Sequence, residues 1–237
     1  MTAVHFIERL QALSSAEEAE KILRYFKSGD GQYGAGDKFI GVRMGQVFEL
    51  AKEFIEMTPD EIERLLESDI HEARAGAMSI MDKQGRHKKT PDSRRKELFD
   101  LYMRRSDRIN NWDLVDLAAQ YVVGRYLFDK QRDIIYKLAV SDSMWERRTA
   151  IVSTSYFLKM GETKDTFKIA EILVHDDQDL IHKAAGGWIR QAGKTNKSRL
   201  LGFLDHYAAV MPRVMLRYAI EHLNEAERAH YLGLKNR

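Results

Sequence analysis

The chain has 237 residues, 44% apolar and 31% charged, with a formal net charge of +2 and no cysteine. The missing thiols exclude disulfides, thiolate metal sites and cysteine nucleophiles. No apolar run approaches the roughly eighteen residues that a membrane-spanning helix needs. The opening Met1-Thr2-Ala3-Val4-His5 lacks the basic-then-apolar order of a secretory signal, so one soluble domain over 1–237, cytoplasmic and monomeric, is expected.

Apolar spacing predicts helix almost throughout: near 3–12, 15–27, 43–56, 59–67, 70–84, 91–105, 111–123, 129–140, 143–159, 164–174, 178–192, 196–208, 212–222 and 224–232. Pro59, Pro91 and Pro212 are expected at first helical positions, where a missing N–H costs nothing. Thr58 and Glu61 have the spacing of a capping box. The main interruption is Ser28-Gly29-Asp30-Gly31-Gln32-Tyr33-Gly34-Ala35-Gly36-Asp37, a glycine-rich loop whose spacing matches neither a P-loop nor a dinucleotide fingerprint.

Charge is distributed unevenly. Residues 1–72 carry 15 acidic and 8 basic side chains, whereas 83–108 carry 4 acidic and 10 basic, a stretch able to meet a phosphate backbone. A basic residue followed by small and apolar ones recurs at Arg74, Arg148, Lys183 and Arg217, at intervals of 74, 35 and 34 residues, and Asp116 falls in the skipped slot with imperfect register. Two helices per 35–45 residues is the pattern of HEAT-like stacking. The expected fold is therefore all-α: a curved solenoid of about 12–14 helices in antiparallel pairs. Arg74, Asp116, Arg148, Lys183 and Arg217 would line its concave, basic face.

The stretch Asn111-Trp112-Asp113-Leu114-Val115-Asp116 asks for chemistry. On a helix, Trp112 and Asp116 are four residues apart and share a face, while Asp113 points about 100° away. An indole and a carboxylate then meet at the edge of the core. Rival sites are thin: His71-Glu72 lacks the H-E-x-x-H pattern, and His175 with Asp176, Asp177 and Asp179 reads as helix capping. Neither a metal nor a cofactor is expected.

These residues resemble the AlkD family of DNA alkylation repair proteins. The matching stretches are Gly36–Arg43, His71-Glu72-Ala73-Arg74, Asn111–Asp116, Ser141–Arg148 and Lys183–Arg190, in family order across nearly the whole chain. The resemblance implies HEAT-like repeats and a DNA glycosylase that removes cationic alkylated purines such as 3-methyladenine and 7-methylguanine from duplex DNA without enclosing the base in a pocket. It also implies site residues: Asp116 as the catalytic carboxylate, Trp112 at the lesion's deoxyribose, Arg148 and Arg190 at the DNA backbone, and Tyr25 near the DNA. Lys183 and Lys194 would add backbone contacts. One departure is plain, because the family's second active-site tryptophan falls at Gly187, with Trp188 beside it. Two alternatives stay open: a non-catalytic relative that binds branched or damaged DNA, and a HEAT-type protein adaptor.

Overall fold

The structure, a computed structural model, describes residues 1–26, 29 and 32–234. Lys27, Ser28, Asp30 and Gly31, on which the expected end of the second helix and part of the glycine-rich loop fall, lie outside the described residues. Those described are all-α, with one isolated backbone bridge between Lys38 and Ile70 and no strand. None of their helices is long and apolar enough to cross a membrane. The chain divides into two compact units, Met1–Tyr126 and Leu127–Arg237.

The first unit holds α1 (Ala3–Gln11), α2 (Ala16–Phe26), α3 (Met44–Glu53), α4 (Pro59–Leu66), α5 (His71–Arg86), α6 (Asp92–Arg104) and α7 (Trp112–Ala118). Helices α3, α5 and α7 pack side by side, and α1, α4 and α6 form a second layer against them. Helix α5 is buried almost all round because Ala73, Ala75, Gly76, Ala77 and Ser79 keep its surface thin. A Cβ at Gly76 would fall 2.4 Å from the Phe6 ring, so this close approach requires glycine. After α7 the backbone opens into a π-helical turn over Ala119–Gly124 before α8 (Arg125–Leu127). Periodicity predicts a continuous helix here. The turn lies against Gly85, where a Cβ would meet the Tyr121 carbonyl oxygen at 3.0 Å, so close backbone packing accompanies the widened turn.

The second unit repeats the two-layer scheme. Helices α10 (Met144–Lys159), α12 (Asp179–Thr195) and α14 (Arg213–Ala219) pack in succession; α9 (Asp133–Ala139) and α11 (Lys164–Leu173) touch each other and cover α10, while α13 (Lys197–Tyr207) covers α12. Helix α15 (Glu225–Gly233) follows, its Tyr231 hydroxyl donating to Asp205 at 2.8 Å. Small residues again set the spacing: a Cβ on Gly186 would fall 2.5 Å from the Met215 carbonyl oxygen.

Several local expectations change. Thr58 makes no side-chain cap; Glu61 instead accepts the Ala3 N–H at 2.7 Å and pairs with Arg64, so a tertiary contact displaces the capping box. The capping box forms at Asn224 and Glu227. Pro59 opens α4, but Pro91 and Pro212 precede their helices by one residue. Helix α9 begins later than its periodicity predicts, because Arg132 turns its guanidinium to the Leu127 and Phe128 carbonyls and to Glu162 and Asp165.

Candidate active site

Helix α7 supplies the centre of the site, and its first turn is anchored from three directions. The Asn111 side chain accepts the Trp112 N–H at 2.8 Å, capping the helix, and donates to Asp37 at 3.1 Å. Asp113 is buried and meets His71 Nε2 at 2.8 Å, while His71 Nδ1 reaches Asp37 at 3.1 Å. Arg74 completes the cluster through an ion pair with Asp37. A fully buried imidazole thus lies between two carboxylates. Burial alone would depress its pKa; the hydrogen bonds and charges of Asp113 and Asp37 prevail and raise it to about 9. Burial likewise opposes the Asp37 charge, yet His71 and Arg74 hold its carboxyl down at about 2. The charged pair is the stable form, with both imidazole N–H groups donating.

Aromatic rings carry this anchor to the surface. Phe39 and Phe26 lie 4.7 and 5.0 Å from the His71 ring, and Phe26 stacks on Trp112 at 5.5 Å with 17° between planes. Tyr25, 68% exposed, sets its ring edge-on to Trp112 at 5.8 Å. Residues near the glycine loop are tied into the same assembly by Glu72, whose buried carboxylate accepts the N–H groups of Ile40, Gly41 and Val42. Gly41 has φ 79°, and a Cβ there would fall 1.9 Å from the Ser15 carbonyl oxygen. Three stretches far apart in sequence, 36–43, 71–74 and 111–116, therefore form one interlocked body.

Trp112 and Asp116 share a face, as their spacing predicts. Both border an open cleft of about 620 Å³ whose walls include Ile22, Tyr25, Phe26, Met44, Phe48 and Leu117. Glu18, with its partners Lys21 and Arg43, stands at the same cleft. Asp116 is exposed, whereas Asp113, which borders the same cleft, is buried and engaged by His71. The arrangement presents a carboxylate and an indole to an incoming ligand, backed by a rigid aromatic stack.

The remaining expected site residues divide. Arg74 is only 3% exposed and its guanidinium engages Asp37, so it cannot serve as the surface cation that the repeat pattern suggests. Its place at the start of a packed inner helix is the reason. In the second unit Arg148 is 8% exposed and donates to the Leu180 carbonyl at 2.9 Å. Arg190 is half-buried and paired with Glu221, and Lys183 pairs with Asp179 at 2.6 Å. Lys194 and Arg217 are exposed, and Trp188 is half-buried. A Cβ at Gly187 meets nothing within 4 Å, so that position faces open space. Sequence reasoning missed Asp37, His71 and Asn111 as anchors and set Asp113 aside as turned away. The available signal was a carboxylate on the apolar side of a helix, which demands a buried partner.

The sequence profile of the family described as DNA alkylation repair enzyme matches residues 6–223. The chain belongs to this family. Membership carries a role in DNA repair and contact with DNA. Among solved structures, this DNA alkylation repair family member is similar to a protein of Enterococcus faecalis described as a predicted DNA alkylation repair enzyme. Their identity is 16% and TM-score 0.69, with 90% of this chain and 97% of that one covered. It is also similar to AlkD2 from Streptococcus mutans, at 16% identity and TM-score 0.53, covering 94% of this chain and 100% of that one. These likenesses establish a shared fold. No curated protein matches.

Proposed function

We propose that this DNA alkylation repair family member is a DNA glycosylase that hydrolyses the N-glycosidic bond of cationic alkylated purines, 3-methyladenine and 7-methylguanine, in duplex DNA. The observation that carries the reading is the solvent-facing Asp116 carboxylate on the rim of an open aromatic cleft, on the same helix face as Trp112. An N-alkylated purine already bears positive charge. When the C1′–N bond breaks, its electron pair stays with the base, which departs neutral and needs no general acid. The sugar left behind has oxocarbenium character. Asp116 stabilises that developing charge; water then adds at C1′, and its proton passes to the carboxylate or to solvent.

Magnitudes support this division of labour. A carboxylate 4 Å from a cation is worth about 1 kcal/mol in water and about 4 kcal/mol at an effective dielectric of 20, so covering the cleft with DNA strengthens the term. The Trp112 face adds about 0.5–2 kcal/mol as a cation-π contact. An open cleft suits a sugar approached from the backbone side, because extruding a base requires a closed pocket.

The mechanism depends on a charged leaving group. Duplex DNA carrying either 7-methylguanine or the neutral lesion hypoxanthine tests it: release of the first and retention of the second is expected, while equal release, or none, rejects the reading. A second reading, a relative that binds DNA without cleaving it, is favoured by Gly187, which stands where the resembled pattern has an aromatic. It predicts salt-sensitive duplex affinity with no base release from either substrate.

A further inference from the structure

The ten cations of residues 83–108 do not share one fate. Arg104 and Arg105 pair with Glu63 and Glu67, Arg108 donates to the Leu66, Glu67 and Ser68 carbonyls, Arg94 pairs with Glu97, and Lys96 pairs with Asp100. Arg104, Arg105 and Arg108 thereby fasten the end of α6 and the turn after it to residues 63–68, whereas the Arg94 and Lys96 pairs lie within α6 itself. Lys83, Arg86 and Lys88 differ: together with Lys52 they line a second open cleft of about 720 Å³. Phe48, Asp116 and Leu117 border both this cleft and the aromatic one, so Asp116 stands on the ridge between them.

Four cations line the second cleft against two carboxylates, Asp82 and Asp116. Arg86 is held by Asp82 at 2.9 Å and lies over the Tyr121 ring at 4.4 Å; Lys52 meets Glu49 at 2.5 Å. Lys83 donates at 3.0 Å to the Ser79 hydroxyl, an uncharged partner, with its ammonium 5.6 Å over the Phe48 ring, and Lys88 is exposed. Burial, helped by the neighbouring cations Lys52 and Arg86, lowers the Lys83 pKa against the opposing pull of Asp82 and Glu49, so its charge is disfavoured where it stands. Such an ammonium gains most from an anion delivered by a ligand.

We infer that the cleft lined by Lys52, Lys83, Arg86 and Lys88 is a second DNA-contact site, receiving phosphodiester groups of the strand whose sugar lies against Asp116 and Trp112. The inference rests on the proposed DNA-directed function and adds the path of the strand: apolar and aromatic walls for sugar and base on one side of the ridge, lysines for phosphate on the other. Because ammonium groups read charge and not base edges, this contact is indifferent to sequence.

The test is affinity for undamaged duplex DNA across a salt series, for wild type, Lys88→Met, Lys83→Met/Lys88→Met and, as control, Lys96→Met. Each lost phosphate contact lowers the slope of log affinity against log salt by about one. The single variant should lose about one and the double about two, with affinity down about ten- to a hundredfold near 0.1 M salt and the control unchanged. Lys88 is exposed, so the single variant keeps the test valid if the double fails to fold. Wild-type slopes in both variants would overturn the inference while leaving duplex binding intact. Absence of any salt-dependent wild-type binding would overturn it together with the DNA-directed reading. Lost slope in a protein that releases no base would leave the contact site standing and remove the glycosylase.

Discussion

Asp113 and Asp116 lie within one turn of the same helix, yet one is held against a buried imidazolium and the other meets solvent. Three residues at 100° each leave the two side chains only about 60° apart around the helix, so the difference is set by His71, which holds Asp113 on the inner side at 2.8 Å. His71 contributes stability that depends on pH in a definite direction. Its folded pKa of about 9 exceeds the ordinary 6.5, so its contribution of about 3 kcal/mol is complete below pH 6.5 and disappears as pH rises through 9. Asp37, held at about 2 against an ordinary 3.8, acts oppositely: its contribution is present above 3.8 and lost as pH falls through 2. Urea midpoints of wild type should therefore decline between pH 6.5 and 9. His71→Asn should be less stable by about 3–5 kcal/mol at neutral pH and should lack that alkaline decline. An equal decline in the variant would show that the imidazole is not the titrating group.

Helix α12 offers a comparison between adjacent positions. Gly186 lies against α14, with no space for a methyl group between it and the Met215 carbonyl, whereas Gly187 faces open space. Gly186→Ala should destabilise by about 1–3 kcal/mol, as overpacking does. Gly187→Ala should stabilise by up to about 1 kcal/mol, since alanine loses less entropy in a helix. Equal denaturation midpoints for the two variants would contradict the close α12–α14 approach. Most helices were legible from apolar spacing because each has one face against a core. What escaped was decided by tertiary contacts: Glu61 taken by the Ala3 N–H, Arg132 drawn to α11, and the π-helical turn after α7 against Gly85.

At the scale of the whole chain, the all-α architecture and the Trp112–Asp116 pair were readable because both depend on local periodicity. The anchor behind them was not, since Asp37, His71 and Asn111 come from three separate stretches and only folding joins them. Repeat spacing also overstated the surface cations. A repeat fixes where a residue falls on its helix, not whether a carboxylate will claim it, as Asp37 claims Arg74. Each unit keeps its own two-layer core, and the groups proposed for chemistry all belong to the first. The most direct measurement is the single-turnover rate of 7-methylguanine release from methylated duplex DNA by wild type and Asp116→Asn, with duplex affinity measured alongside. Losing one preorganised charge at the transition state predicts a fall of about 10²–10³-fold in rate with affinity little changed. Undiminished release by the Asp116→Asn protein would contradict the account.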